Sequence, residues 1–231
     1  PVTDLGTGNT VRGNKSAAIM PPEGRRSSRF VVGSSTAGYT NEDVDFLCTG
    51  TDVQIVINAA IDALPDGGGK IKLLDGTYTL TGGIIINKDK VSLHGNGNNT
   101  VISRAFTSDI DTKDSMLYIN ANYCKIQELY ILDDFDDFDA SDNSYTIYTL
   151  GNNITFCNNT ITLVGSTTDS PSCFYLGDGK NNVVKNNYFY CSHGSNFDTV
   201  LKVVDNLYSI ISGNNIQSNN GWNSFGIVVT G

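Results

Sequence analysis

Arginine almost disappears from this chain after residue 29, with Arg104 alone beyond it. A surface that grips a polyuronate or a phosphate backbone needs a concentrated supply of cations. With 15 Lys+Arg against 24 Asp+Glu, the formal net charge is -9. Nucleic acid is therefore disfavoured as a partner, and so is a polyanionic substrate unless calcium bridges it. Histidine and tryptophan are as scarce, at two and one, and no CxxC or Cys/His spacing marks a zinc site. No apolar run approaches the roughly 20 residues that cross a bilayer, and no basic-plus-apolar leader opens the chain, so membrane insertion is not expected. The five cysteines, Cys48, Cys124, Cys157, Cys173 and Cys191, cannot all pair within one chain. Four lie in or beside expected strands, which suits buried thiols packed as small hydrophobes. Free thiols point to folding in a reducing cytosol.

What the chain does have is glycine, asparagine and a repeat. Twenty-four Gly and only 17% charged residues fit a turn-rich β protein. Segments beginning at Cys124, Ile154, Asn182 and Ser209 each read apolar, two small or polar residues, Asn or Leu, any residue, apolar. Extended back to Leu93-His94-Gly95-Asn96, the recurrent position is Asn96, Leu129, Asn159, Asn187 and Asn214, at spacings of 33, 30, 28 and 27. Such a period signals stacked repeats. Helical repeats are excluded, because the segments are rich in Val, Ile, Phe and Tyr and are cut every few residues by Asn and Gly. The expected fold is all-β: a right-handed single-stranded parallel β-helix with three strands per coil. Asn159, Asn187 and Asn214 should form an amide ladder inside a tight bend, each Asn taking the left-handed backbone conformation there.

Three parts follow from the composition. Residues 1–28, with Pro21-Pro22 and no apolar period, read as an extended arm or linker. Residues 29–82 read as an entrance: a short strand at Phe30-Val31-Val32, then helical spacing from Val53 to Leu64 with Asp52 as its cap and Pro65 beyond. Gly67-Gly68-Gly69 lacks the Gly-Lys-Ser/Thr ending of a phosphate loop. The helix is better placed as an N-terminal cap over the open core. Residues 83–231 are the β-helix. Phe225 to Val229 begins a new coil that stops at Gly231, which reads as part of a longer polypeptide.

At Gln54, Ala60-Ile61-Asp62-Ala63, Gly67-Gly68-Gly69 and Gly76-Thr77-Tyr78 the chain resembles the pectate-lyase-like superfamily, in particular its phage tail-spike and prophage tail members. The resemblance covers about residues 50–231. It implies a β-helix entered through a capping helix, a sugar groove along one edge, and the virion tail or an extracellular surface as its location. A homotrimer of the full-length protein would follow as well. It does not select a chemistry, because the superfamily holds lyases, hydrolases, epimerases and inert adhesins alike.

In the coil at 145–171 the strands are Tyr145–Leu150, Ile154–Phe156 and Thr160–Leu163, and the remainder is a variable loop. Such loops recur at 133–143, 164–170, 191–198 and 218–224, so stacking should align them along one edge. The first holds six carboxylates in ten residues. It reads as a solvated acidic loop, as a calcium site through Asp133, Asp134 and Asp136, or as a source of catalytic acid and base through Asp137 and Asp139. Asp169 and Asp198 in neighbouring loops join those catalytic candidates, and Asp178 and Asp205 are further partners. His193-Gly194 is similar to the His-Gly of polygalacturonases, although no Asn-Thr-Asp precedes it and no Arg-x-Lys follows. Trp222 would stack on a pyranose face or pack on a further coil, and Tyr145, Tyr148 and Tyr175 are the strand-borne ligand-binding candidates. The expected function is surface-glycan recognition of phage or prophage tail type, with or without depolymerase activity, hydrolysis ahead of lyase chemistry. A secreted or cell-surface polysaccharide hydrolase or lyase, and a structural rod without ligand, are the alternatives.

Overall fold

The computed structural model describes residues 28–50, 52–106, 115–134, 145–165, 172–193, 199–218 and 225–231. Of the expected arm at 1–28, residues 1–27 lie outside them. The chain opens with β1 (Arg29–Ser34), β2 (Phe46–Cys48) and α1 (Val53–Asp62). The first coil consists of β3 (Gly69–Leu73), β4 (Gly76–Leu80) and β5 (Ile84–Ile86). Two long strands, β6 (Val91–Arg104) and β8 (Lys125–Asp134), each run through the tight bend, with β7 (Leu117–Ile119) and β9 (Tyr145–Thr149) as their third legs. Three further coils are β10–β11–β12 (Thr155–Cys157, Thr160–Gly165, Ser172–Gly177), β13–β14–β15 (Val183–Lys185, Tyr188–His193, Thr199–Val204) and β16–β17–β18 (Ile210–Ser212, Asn215–Ser218, Phe225–Thr230).

Among the described residues every strand pairing is parallel and links neighbouring turns of the chain, so the molecule is a right-handed parallel β-helix with α1 as its capping helix. First and second legs form one sheet. Third legs form the other, in the order β18–β15–β12–β9–β7–β5. Odd and even residues alternate between core and surface. Phe30, Ile71, Leu93, Ile126, Phe156 and Val184 stack inward on the first legs, and Ile147, Phe174 and Leu201 inward on the third. All five cysteines are buried thiols. Burial pushes the Cys124 thiol up to about 11 and Cys48 to about 12, so both stay protonated and unreactive at neutral pH.

The entrance motif explains how the core is closed. Gln54 reaches from α1 to Thr81, accepting its backbone N–H at 3.0 Å and donating to its hydroxyl at 2.9 Å. Asn58 does the same for the next turn, bonding the carbonyl of Gly83 and the N–H of Ile85. Lys88 donates to the carbonyls of Asp62 and Leu64 at the C-terminal end of the helix, where cations are favoured. Asp52 departs from expectation: it precedes the helix at φ 52 and makes no side-chain cap. Its carboxylate instead accepts the Thr81 hydroxyl, because the chain enters the helix in a left-handed conformation. Gly68 must be glycine, since at φ +78 a Cβ would lie 2.4 Å from the Lys90 carbonyl oxygen.

The asparagine ladder is present. Asn159 donates its amide to Asn187 Oδ1 at 3.1 Å, and Asn187 donates to Asn214 Oδ1 at 3.0 Å. The same oxygens accept the backbone N–H of the preceding coil, at 2.9 Å in both cases. Leu129, the gap, still contributes its N–H to Asn159 Oδ1. One expectation is corrected. The left-handed residue is the one before the ladder position, Glu128, Asn158, Asn186 and Gly213, at φ between 54 and 64. The bend twists first, and that twist turns the next side chain inward, where its amide replaces the missing strand pairing.

A second ladder was not anticipated. In the turn leading to each first leg, Asn122 bonds Asp89, Asn152 bonds Asn122, and Lys180 N–H bonds Asn152 Oδ1. The left-handed column there is Lys90, Tyr123, Asn153, Asn181 and Tyr208. Asn187→Ala should leave the Asn159 N–H and amide without their acceptor, remove a donor from the Phe156 carbonyl and Asn214 Oδ1, and cost about 1–3 kcal/mol of unfolding free energy in urea titration. The exposed Asn215→Ala, outside the ladder, should change it by less than about 0.5 kcal/mol.

Candidate functional site

The third-leg sheet carries aromatic residues on its outer face. Ile85, Tyr118, Tyr148, Tyr175, Lys202 and Val228 occupy one register row across successive strands. Tyr148 and Tyr175 stack at 4.4 Å with their planes 2° apart, and Tyr118 extends the stack at 6.0 Å. Tyr145 leans over both, 5.3 Å from Tyr148 and 4.8 Å from Tyr175. Lys202 closes one end, donating to the Tyr145 hydroxyl at 3.3 Å and lying over the Tyr145 and Tyr175 rings. None of the four tyrosines joins the main apolar cluster, which takes their neighbours Leu117, Ile119, Ile147, Phe174 and Leu176, yet Tyr118 and Tyr145 are buried and Tyr148 and Tyr175 half-buried. They bury one another instead. Gly177 makes the arrangement possible, because a Cβ there would sit 2.2 Å from the Tyr175 ring.

Burial first, and the neighbouring phenols second, push Tyr148 up to about 12 and Tyr145 further. Tyr175 is raised too, by burial and then by Asp178. At neutral pH the face is thus a rigid, uncharged set of ring edges and hydroxyls with one ammonium beside it. Asp178 and Asp205 are exposed, follow paired strands one coil apart, and both hold left-handed backbones at φ 42 and 45.

The third legs start in register, Tyr145 opposite Ser172, Ser172 opposite Thr199, and Thr199 opposite Phe225. The second legs likewise end side by side, Asp134 opposite Val164 and Val164 opposite Ser192. The anchors of successive loops are therefore aligned along one edge, next to the tyrosine face. Asp136, Asp137, Asp139, Asp169, Asp198 and Trp222 lie outside the described residues. His193 ends β14, its backbone opposite Gly165 of β11.

Asp133 is fully buried. Its carboxylate pairs with Arg104 through Nε at 2.8 Å and Nη2 at 3.1 Å, and accepts the Thr146 hydroxyl at 2.7 Å. The sole arginine of the coiled body thereby joins β6, β8 and β9 on either side of the acidic segment. Asp134 is exposed. Among the described residues no three His, Cys, Asp or Glu side chains converge on a point. Tyr118 and Lys202 were missed by sequence reasoning, although their spacings of 30 and 27 from Tyr148 and Tyr175 match the repeat.

On the first legs a different titratable pair appears. His94 bonds Glu128 of the next coil at 2.5 Å, and its Nδ1 is buried without a partner. With Nε2–H donating to the carboxylate, a second proton on Nδ1 would have no acceptor. Burial, aided by Lys72 and Lys70, holds the His94 pKa below its usual value although Glu128 pulls the other way.

No protein-family model matches this chain, and no curated protein matches it. Among solved structures it is similar to the catalytic domain of a GH87 alpha-1,3-glucanase in complex with nigerose, at 12% identity and TM-score 0.43, over 92% of this chain and 46% of that one. A second structure of that domain with nigerose, carrying an aspartate-to-alanine substitution, gives 13% and 0.42 over the same shares. This chain spans less than half the length of those chains. Identities of 12–13% leave the choice of ligand to this chain's own side chains.

Two outcomes follow for stability. Asp133→Ala removes the buried carboxylate that pairs with Arg104 and should cost about 3–5 kcal/mol in urea titration, against less than about 0.5 for Asp134→Ala. The folded His94 pKa lies below the unfolded one, so the unfolded chain binds more protons between the two. Its contribution is complete above about pH 6.5 and is lost as pH falls through the folded value. Wild-type stability should therefore drop more steeply below that pH than that of His94→Gln. Parallel curves would contradict the assignment.

Proposed function

We propose that this protein is a glycan-recognising β-helix whose ligand lies along the tyrosine face of the third-leg sheet. The observation that carries this reading is the stack Tyr118–Tyr148–Tyr175, with Tyr145 and Lys202 against it, which leaves Tyr148 and Tyr175 part-exposed on the third-leg sheet. The half-buried rings of Tyr148 and Tyr175, backed by the buried Tyr118 and Tyr145, cost solvation unless something covers them, and phenols present apolar edges and hydroxyls together, the pairing that a sugar ring offers in return. Stacking has already frozen the rings, so little side-chain entropy is lost on binding. The neutral phenols and single ammonium favour an uncharged glycan here. The biological setting in this proposal is attachment to a glycan-coated cell surface, as in the tail-spike-like proteins that the chain resembles.

Cleavage is a second reading, favoured by Asp178 and Asp205 standing one coil apart beside Tyr175. Strand stacking separates equivalent backbone positions by about 4.8 Å, close to the carboxyl separation of roughly 5 Å that retaining glycosidases use. A glycan array should identify the ligand, and Tyr148→Ala should weaken binding at least tenfold, about 1.4 kcal/mol. Tyr188→Ala, on the second-leg face, should leave it unchanged. Equal effects from the two substitutions, or no glycan bound, would remove the tyrosine face as the site. New reducing ends that vanish in Asp178→Asn would establish hydrolysis, and binding without any product would leave recognition alone.

A further inference from the structure

Folding sorts the few cations of this acidic protein onto one face. The described residues contain ten Lys and Arg. Arg104 is buried with Asp133, and Lys202 sits on the tyrosines. Five of the other eight, Arg29, Lys70, Lys72, Lys125 and Lys185, stand on the outer side of the first legs, flanking the inward row of Phe30, Ile71, Ile126 and Val184. One outer row runs Arg29, Lys70, Ser92, Lys125, Thr155, Val183; the other runs Val31, Lys72, His94, Gln127, Cys157, Lys185. Lys88, Lys90 and Lys180 lie in the turns that feed these legs. The second legs beside them carry an outer row without charge: Thr77, Val101, Tyr130, Thr160, Tyr188 and Asn215.

Nearby acids are occupied at the margins. Glu128 holds His94, Asp75 holds the Asn96 amide, Asp45 accepts the Val31 N–H and Asp89 bonds Asn122. Lys72 is tied to the Gly95 carbonyl and Asn96. Lys70, Lys125 and Lys185 form no ion pair among the described residues. Lys125 is two strands from Lys70, and Lys185 two strands further, so their backbones stand about 10 Å apart at each step along the axis.

We propose that this first-leg face docks a linear acidic polysaccharide laid along the solenoid axis, with Lys70, Lys125 and Lys185 as its principal cationic contacts. Ser92, Thr155 and Gln127 between them offer hydrogen bonds to sugar hydroxyls. Nucleic acid fits less well. Single strands bind on aromatic stacking platforms, and these rows hold none. A duplex is read by an element that enters a groove, which a broad sheet face cannot do. The proposal is independent of the tyrosine face, on a different sheet.

The test is binding of heparin and hyaluronate oligosaccharides by the whole protein, with dextran and an oligothymidylate as comparators. Both acidic glycans should bind at low salt and weaken at least tenfold in 0.5 M salt, where the Debye length shrinks to about 4 Å. The triple variant Lys70→Gln, Lys125→Gln, Lys185→Gln should lose at least tenfold in affinity at an unchanged melting temperature, and the corresponding Lys→Glu triple should lose more. Tyr148→Ala should bind as wild type does. Wild-type affinity in the Gln triple, an equal loss in Tyr148→Ala, or tighter binding of oligothymidylate than of either glycan would each overturn the proposal.

Discussion

Everything in this molecule depends on coils stacking in strict register one strand apart, and the bend asparagines enforce it. Asn187 and Asn214 each accept two N–H groups from the coil before, Asn159 accepts one, and all three donate back to a carbonyl of that coil, Asn214 to Val184, Asn187 to Phe156 and Asn159 to Ile126. A slip of one residue would orphan these buried groups and also turn every inward side chain outward. The tyrosine stack, the inward phenylalanines and the lysine rows all inherit their alignment from that register.

Because the register is shared, the outer faces of the solenoid differ only in which residues recur on them. The third-leg sheet collects tyrosines, the first legs collect lysines, and the second legs carry an uncharged row from Thr77 to Asn215. The molecule can thus present an aromatic face and a cationic face that are separated by a narrow, neutral wall. Arg104 serves neither surface. Paired with Asp133, which also accepts the Thr146 hydroxyl, it holds the corner where the chain passes from one sheet to the other, and its charge is spent on architecture.

The β-helix, the three-residue ladder, the strand order within a coil and the capping helix were legible because each has a periodic or motif signature. Gln54 and Tyr78 show why the entrance motif is informative: one anchors the helix to the coil, and the other buries its hydroxyl against the carbonyls of Val32 and Leu74. Other readings were less complete. The turn ladder through Asn122 and Asn152 was hidden because its members change identity, from Asp89 to Lys180, while keeping their place. Asp133 looked like one more carboxylate of an acidic run, and only the partner 29 residues away marks it as structural.

By itself the sequence determined the architecture, since apolar alternation and a recurring bend residue leave one economical way to bury a core. It also determined where variable loops must leave that core. What the tertiary structure alone decided is which side chains become neighbours. Tyr118, Tyr148 and Tyr175 are tens of residues apart in the chain and in contact in the stack. A net charge of -9 seemed to leave no cationic surface, yet parallel register gathers the lysines of separate coils into rows. Composition counts charges without positions, and recognition depends on positions.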